Sequence, residues 1–181
     1  GVGVIVDSCH QCSSCDQGYE QFCEAGMTTA YNSPDPHTGG VTYGGYSSHI
    51  VVDQKSVLKV SEKLDAHAAA PLLCAGITTF APLKRYHVKA GDKVGIIGLG
   101  GLGHMGVKFA AAMGAHVVMI TSSEKKGADA KRLGAHEVLL STDQQAMQAQ
   151  ANSFDLLLNT IPAEHDFSCY LDLLKINQTM I

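Results

Sequence analysis

Residues 93–104 read KVGIIGLGGLGH, an apolar run followed at once by closely spaced glycines. The apolar run predicts a buried strand, and the residues from Leu102 onward predict a helix. Across this junction Gly98, Gly100 and Gly103 follow the pattern G-x-G-x-x-G, in which the glycines allow a tight turn, close approach of a pyrophosphate and close helix–strand packing. The stretch therefore predicts a dinucleotide-binding loop, with a plain glycine-rich turn as the alternative. The expected cofactor contacts in this loop are Gly98, Leu99, Gly100, Gly101, Leu102 and Gly103.

The chain around this stretch alternates predicted strands and helices. Strands are predicted at residues 93–98, 116–120, 137–140 and 154–159, and helices at 102–113, 125–133 and 142–149. Gly114 and Gly134 follow the first two helices, where a left-handed cap is favoured, and Ser141 or Thr142 opens the third with a glutamine three residues later. Such alternation predicts a doubly wound parallel α/β sheet of the Rossmann type.

The end of the second predicted strand bears on the choice of cofactor. An acidic residue there would accept a hydrogen bond from the ribose 2′-hydroxyl of NAD, but this strand ends in hydroxyl residues and is followed by lysines. Hydroxyl and ammonium groups suit a 2′-phosphate, so the sequence favours NADP over NAD. Glu124 weakens this interpretation, and the alternative is that residues 124–126 are only the solvated start of a helix. The residues assigned to the adenosine phosphate are Thr121, Ser122, Ser123 and Lys126.

Four of the six cysteines lie close together near the start of the chain. Cys9, Cys12, Cys15 and Cys23 have the spacing C-x2-C-x2-C-x7-C. Four thiolates this close can complete a tetrahedron around zinc, the arrangement of a structural site with no open position. An iron–sulfur cluster is less favoured because Glu24, not proline, follows the last cysteine, and free or disulfide-bonded cysteines are the remaining alternative.

Composition excludes several classes of protein. The 181 residues are 45% hydrophobic, and 13 basic against 17 acidic residues give a formal charge of −4, without the basic excess that nucleic-acid binding needs. No apolar run approaches the ~20 residues that cross a bilayer, and clustered cysteines favour a reducing cytoplasm, so we expect a soluble protein with neither nucleic-acid nor membrane partners.

The two halves of the chain differ in character. The first half is rich in glycine and in short apolar alternations, such as residues 48–52, which predict strands. A change in composition near residues 60–72 predicts a domain boundary. The apolar alternation at each end of the chain indicates a fragment of a longer protein.

Taken together, these residues resemble a known enzyme family. The cysteine run, residues 44–47, residues 71–78 and the glycine stretch up to His104 are similar to those of the zinc-dependent medium-chain alcohol dehydrogenases, in the cinnamyl-alcohol-dehydrogenase-like branch. The similarity covers essentially the whole chain. It implies part of a β-rich GroES-like catalytic domain with a structural zinc lobe at residues 1–70, and the first part of a Rossmann NADP-binding domain at residues 71–181.

The resemblance also implies roles that the residue pattern alone does not assign. Cys74, which composition would leave as a small buried residue, becomes a ligand of a catalytic zinc, while Thr78 and Thr160 would lie towards the nicotinamide. The other ligands of that zinc in the family, a cysteine and a histidine followed by glutamate, and its proton relay belong to a stretch that these 181 residues do not contain.

The function that this resemblance implies is the interconversion of aldehydes and primary alcohols by hydride transfer with NADP(H), with zinc polarising the carbonyl oxygen. Two alternatives remain. An NAD-dependent polyol or secondary-alcohol dehydrogenase of the same architecture is disfavoured by the hydroxyls at the end of the second strand, and a non-catalytic zinc-binding fragment leaves the glycine loop unexplained. The expected partner is a small aldehyde or alcohol, and a homodimer of the intact enzyme is a candidate assembly.

Overall fold

The computed structural model describes residues 1–181 and divides them into two units, Gly1–Cys74 and Ala75–Ile181. The strands are β1 (Ile5–Asp7), β2 (Thr28–Thr29), β3 (Lys93–Ile97), β4 (His116–Thr121), β5 (Glu137–Leu140), β6 (Phe154–Asn159) and β7 (Leu174–Met180). The α-helices are α1 (Ser13–Asp16), α2 (Ala66–Ala69), α3 (Ala75–Arg85), α4 (Gly101–Ala112), α5 (Glu124–Leu133), α6 (Gln144–Ala149) and α7 (Ser168–Leu171). Short 3-10 helices cover Glu20–Phe22, Gly44–Tyr46, Gln54–Ser56 and Ala70–Leu73. No single helix has both the length and the apolar character needed to cross a membrane.

The second unit is built on a five-stranded parallel sheet in the order β5-β4-β3-β6-β7. The central strand is β3, where Val94 pairs with Val117 of β4 and with Leu156 of β6. Successive strands are added outward from β3 on both sides, so the predicted doubly wound Rossmann sheet is confirmed. The switch in direction at β3 leaves a crevice at the carboxyl ends of the strands, which is where such sheets bind ligands.

The sheet is covered by buried apolar clusters on both faces. Val94 and Ile96 of β3 belong to one cluster, together with Val107 of α4, while Ile97 belongs to the opposite cluster with Phe154. Burial on both faces explains why β3 and β4 read as nearly continuous apolar runs instead of alternating ones. Each fully buried side chain of this kind contributes about 1.5–3 kcal/mol relative to an exposed one.

The predicted elements of this unit agree with the structure, except at the start of α6. The N-cap of α6 is Asp143, whose carboxylate accepts a hydrogen bond from the N–H of Ala146 at 3.0 Å. The prediction that Ser141 or Thr142 caps this helix is therefore wrong. Aspartate is among the strongest N-cap residues, and here it immediately precedes the first helical residue. The sequence pattern predicts none of α3, α7 and β7.

The outermost strand β7 pairs unevenly with β6. Phe154 pairs with Leu174, but Leu156 pairs with Thr179, so two residue steps along β6 correspond to five along β7. Asn177, in the intervening segment, has φ +62°, a left-handed conformation that asparagine adopts more readily than most residues.

The first unit contains few regular elements. β1 and β2 form a two-stranded antiparallel sheet, and single bridges join Val2 to Val57 and Pro34 to Val41. The strand predicted at residues 48–52 is wrong, because these residues pair with no neighbour and Val51 is 97% exposed. Apolar alternation favours an extended chain, but a strand also needs a partner to hydrogen-bond.

Candidate functional site

The glycine loop joins the central strand β3 to α4 at the carboxyl edge of the sheet. Gly98 has φ +85°, which L side chains rarely adopt, and its N–H donates to the carbonyl oxygen of Ile120 in β4 at 2.9 Å. A Cβ on Gly103 would lie 2.0 Å from the carbonyl oxygen of Gly98. Only glycine at position 103 therefore allows α4 to start so close to the strand.

The same loop leaves room for a ligand at the start of α4. A Cβ built on Gly100 or Gly101 would meet no atom within 4 Å. Gly100 is the N-cap of this helix and offers no side-chain cap, so the first N–H groups remain available to an anion in the positive field of the helix N-terminus. Leu99 packs against the buried cluster and so anchors the loop, while Leu102 is half-buried. The open backbone and the free donors fit the pyrophosphate of a dinucleotide.

The residues predicted to bind the adenosine phosphate, at the end of β4, form two pairs with different roles. Thr121 is buried and its Oγ1 accepts a hydrogen bond from the N–H of Ser123 at 3.2 Å, while the Oγ of Ser123 caps α5 by accepting from the N–H of Lys126 at 3.4 Å. Ser122 and the Lys126 side chain are exposed. Thr121 and Ser123 thus shape the turn, and Ser122 and Lys126 are the groups open to a ligand. Glu124 is also exposed, in the first turn of α5.

The two threonines that the resemblance assigns to the nicotinamide side are held differently. Thr160 directly follows β6, and its Oγ1 donates to the carbonyl oxygens of Gly98 and Ile97, at 2.8 and 2.9 Å. Thr78 is exposed in the first turn of α3. The hydroxyl of Thr160 is therefore engaged within the protein, whereas that of Thr78 faces solvent.

The four clustered cysteines of the first unit converge. Their Sγ atoms all lie within 4.8 Å of one another in the set Cys9, Cys12, Cys15 and Cys23. Backbone N–H groups also point at the sulfurs: that of Cys9 at Cys23 Sγ (3.4 Å), and that of Glu24 at Cys12 Sγ (3.5 Å). The pKa of the Cys12 thiol is lowered to about 6, and the hydrogen bond from the N–H of Glu24 is the largest cause. The lowered pKa favours the thiolate at neutral pH. Four converging thiolates fit a tetrahedral zinc ion.

Cys74 stands apart from this cluster. It follows the 3-10 helix Ala70–Leu73, its N–H donates to the carbonyl oxygen of Pro71 at 3.3 Å, and it is exposed, so composition alone would place it wrongly in a core. The four-cysteine group is the one set of three or more His, Cys, Asp or Glu residues in the chain whose ligand atoms all lie within 4.8 Å of one another. The residues present do not complete a catalytic zinc site around Cys74.

Comparison with known proteins places this geometry in a family. Residues 101–181 match the family model described as zinc-binding dehydrogenase. These residues are therefore similar to those of zinc-binding dehydrogenases. The resemblance predicted from the sequence motifs is confirmed at this level.

Known relatives match this chain over nearly its full length. The chain is 51% identical to the aldehyde reductase YahK of Escherichia coli. This match covers 99% of the chain and 52% of YahK. A solved cinnamyl alcohol dehydrogenase from Sorghum bicolor superposes with a TM-score of 0.93 at 44% identity. The structure of CAD from Helicobacter pylori, complexed with NADP(H), superposes with a TM-score of 0.88 at 41% identity. Each match covers 99% of this chain, and 52% and 50% of those two structures. The chain spans about half the length of the relatives it matches.

The first unit also holds a polar cluster that the sequence motifs do not reveal. The carboxylate of Asp7 in β1 meets His10 Nε2 at 2.9 Å and His37 Nε2 at 2.7 Å. Burial raises the pKa of Asp7, but hydrogen bonds from His37, Ser8 and His10 together bring it below its usual value. The hydrogen bond to Asp7 in turn raises the pKa of His37. No sequence signal identifies this pair, because Asp7 and His37 lie 30 residues apart.

The contact between His37 and Asp7 should depend on pH. Because the pKa of His37 is raised above its usual value of 6.5, the contact stabilises the fold fully below that pH and is lost as the pH rises through the raised value. In Asp7→Asn, which lacks the negative charge, the midpoint of the His37 titration, followed by NMR of the ring protons, should fall towards 6.5.

The matched control for this titration is Asp16→Asn, which removes an exposed carboxylate in α1 and should leave the His37 midpoint unchanged. An unaltered midpoint in Asp7→Asn would show that the carboxylate does not set the His37 charge.

Proposed function

We propose that the chain is part of a zinc-dependent oxidoreductase that interconverts aldehydes and primary alcohols by hydride transfer with NADP(H). The observation that carries this proposal is the carboxyl edge of the sheet, where the open backbone of Gly100 and Gly101 follows β3 and the exposed Ser122 and Lys126 follow the neighbouring strand β4. The first pair suits a pyrophosphate and the second a 2′-phosphate. Relatives named aldehyde reductase and cinnamyl alcohol dehydrogenase, one of them complexed with NADP(H), support the reaction and the cofactor.

The residues of the second unit bind and orient the cofactor. When bound, NADPH supplies the hydride, and the groups at the ends of β3 and β4 act at a distance from that transfer. Backbone N–H groups at the start of α4 hold the pyrophosphate, while the Ser122 hydroxyl and the Lys126 ammonium group hold the adenosine phosphate. Binding these remote parts tightly fixes the position of the nicotinamide, and such orientation is a large share of what the protein contributes to hydride transfer.

Zinc enters this proposal at two places. The closed set Cys9, Cys12, Cys15 and Cys23 would hold one structural ion that stabilises its loop. Cys74 would supply one ligand to a catalytic zinc, and the remaining ligands are not among these 181 residues.

The same proposal extends to organisation and setting. Residues 1–70 would be part of a GroES-like catalytic domain, and residues 71–181 the first part of the NADP-binding domain. We expect a cytoplasmic location, where thiols stay reduced, and a homodimer of the intact enzyme. Neither nucleic acid nor a membrane is an expected partner, in keeping with the formal charge of −4.

Cofactor preference tests the proposal. The chain should bind NADPH more tightly than NADH, and Ser122→Asp should reverse this, because a carboxylate repels the 2′-phosphate and accepts a hydrogen bond from the ribose 2′-hydroxyl. Lys126→Ala should weaken the binding of NADPH about tenfold, or about 1.4 kcal/mol, and leave the affinity for NADH nearly unchanged. Dissociation constants can be measured by fluorescence titration with each reduced nucleotide.

A matched control is Lys131→Ala, which removes an exposed positive charge from the last turn of the same helix. It should change neither affinity. A preference of the unmodified chain for NADH would instead favour the NAD-dependent alternative, with the exposed Glu124 as the ribose ligand.

A further inference from the structure

The residue that follows β6 is bound to the glycine loop through both its backbone and its side chain. The N–H of Thr160 donates to the carbonyl oxygen of Ile97 at 2.9 Å. Its Oγ1 lies 2.8 Å from the carbonyl oxygen of Gly98 and 2.9 Å from that of Ile97, so its one proton is shared between them. The Thr160 side chain thus links the end of β6 to Gly98, the first glycine of the loop that follows the neighbouring strand β3.

Gly98 is held on its other sides as well. Its N–H donates to the carbonyl oxygen of Ile120 in β4 at 2.9 Å. A Cβ added to this glycine would lie only 2.8 Å from the Cγ1 of Ile161. The carbonyl oxygen of Gly98 points to Gly103, whose missing side chain makes room for it. Thr160 is the side-chain donor to that oxygen, so its hydroxyl determines how the peptide group after Gly98 is oriented.

We propose that Thr160 is a positioning residue for the cofactor, acting through Gly98 and not by contact with the cofactor itself. By fixing the Gly98 carbonyl beside the end of β6, its hydroxyl holds the start of the loop in the conformation that leaves the backbone of Gly100 and Gly101 open to the pyrophosphate. The inference rests on the proposed binding of NADP(H). It assigns to Thr160 a role different from the nicotinamide contact that the family resemblance implies.

Thr160→Val separates this role from packing. Valine keeps the branched shape of threonine but removes the donor, leaving the Gly98 carbonyl without its side-chain partner. Thr160→Ser keeps the hydroxyl and loses only the methyl group. If the hydroxyl positions the loop, variants without it should bind a ligand that contains a pyrophosphate more weakly than variants that keep it. A ligand that reaches only the end of β4 should bind both kinds of variant equally well.

The experiment measures binding of NADPH and of adenosine 2′-monophosphate to the full 181-residue chain by calorimetry. In Thr160→Val, NADPH should bind about tenfold more weakly, while adenosine 2′-monophosphate, which has no pyrophosphate, should bind within twofold of wild type. Thr160→Ser should restore NADPH affinity to within about threefold of wild type.

Each other outcome overturns the inference in a recognisable way. Unchanged NADPH affinity in Thr160→Val shows that the hydroxyl does not position the loop. Equal losses for both ligands, or loss of all binding, show a merely structural role. Failure of Thr160→Ser to restore affinity shows that the methyl group matters instead. If wild type binds adenosine 2′-monophosphate but not NADPH, or binds neither, the proposed function itself fails and this inference fails with it.

Discussion

A chain carrying Gly103→Ala should lose NADPH binding almost completely and unfold at a lower temperature than wild type. The added Cβ would lie 2.0 Å from the Gly98 carbonyl oxygen, a backbone atom that cannot rotate away as a flexible side chain could. Either α4 moves off the strand or the peptide group after Gly98 turns, and both displace the N–H groups that would face the pyrophosphate. We expect at least a hundredfold loss of NADPH affinity, about 2.7 kcal/mol, and about 1–3 kcal/mol lower stability from overpacking.

Gly101→Ala provides the matched control for this substitution. A Cβ at Gly101 meets no atom within 4 Å, so the melting temperature measured by circular dichroism should stay the same or rise slightly. NADPH affinity should still fall, because the methyl group occupies the space proposed for the pyrophosphate. If Gly103→Ala melts like wild type and binds NADPH equally well, α4 does not depend on this close approach.

Replacing Cys12 by serine should remove the structural zinc and release the loop between Cys9 and Cys23. A hydroxyl is a far poorer zinc ligand than a thiolate, and binding of structural zinc contributes about 10–16 kcal/mol in small zinc domains. The zinc content of the purified 181-residue chain, measured by elemental analysis, should fall from one ion to near zero. The loop should then become sensitive to protease.

Cys169→Ser is the control for the loss of a thiol as such. Cys169 is exposed, lies in the second unit and belongs to no cluster of potential ligands, so this variant should keep its zinc. A full equivalent of zinc retained by Cys12→Ser would contradict the four-thiolate site.

The sequence predicts the second unit better than the first, for physical reasons. The requirements at Gly98 and Gly103 are local, since a left-handed turn and a close helix approach each demand glycine whatever surrounds them. The strands β3, β4 and β6 are mostly buried and apolar, which is a strong local signal. In the first unit, by contrast, residues 48–52 have the alternation of a strand but no partner, and pairing is decided by distant residues.

Side-chain partners are the part of the candidate site that the sequence could not supply. Thr160 bonds to Gly98 across 62 positions of sequence, and Asp7 bonds to His37 across 30. No periodicity or motif encodes such distances. The same limit applies at the end of β4, where the sequence identifies the hydroxyl residues but not that the Ser123 hydroxyl caps α5 and that Ser122 remains exposed.

The uneven pairing of β7 with β6 has a consequence for self-association of the chain. Five residue steps along β7 against two along β6 leave three extra residues bulging from the strand, and the segment carries the exposed Lys175 and Asn177. A flat sheet edge offers a continuous row of free N–H and carbonyl groups on which a strand of another molecule can add, whereas a bulged and charged edge interrupts that row. In the 181-residue chain, the bulge therefore interrupts the row of backbone groups that a strand of another copy would need, next to Ile176, which is 85% exposed.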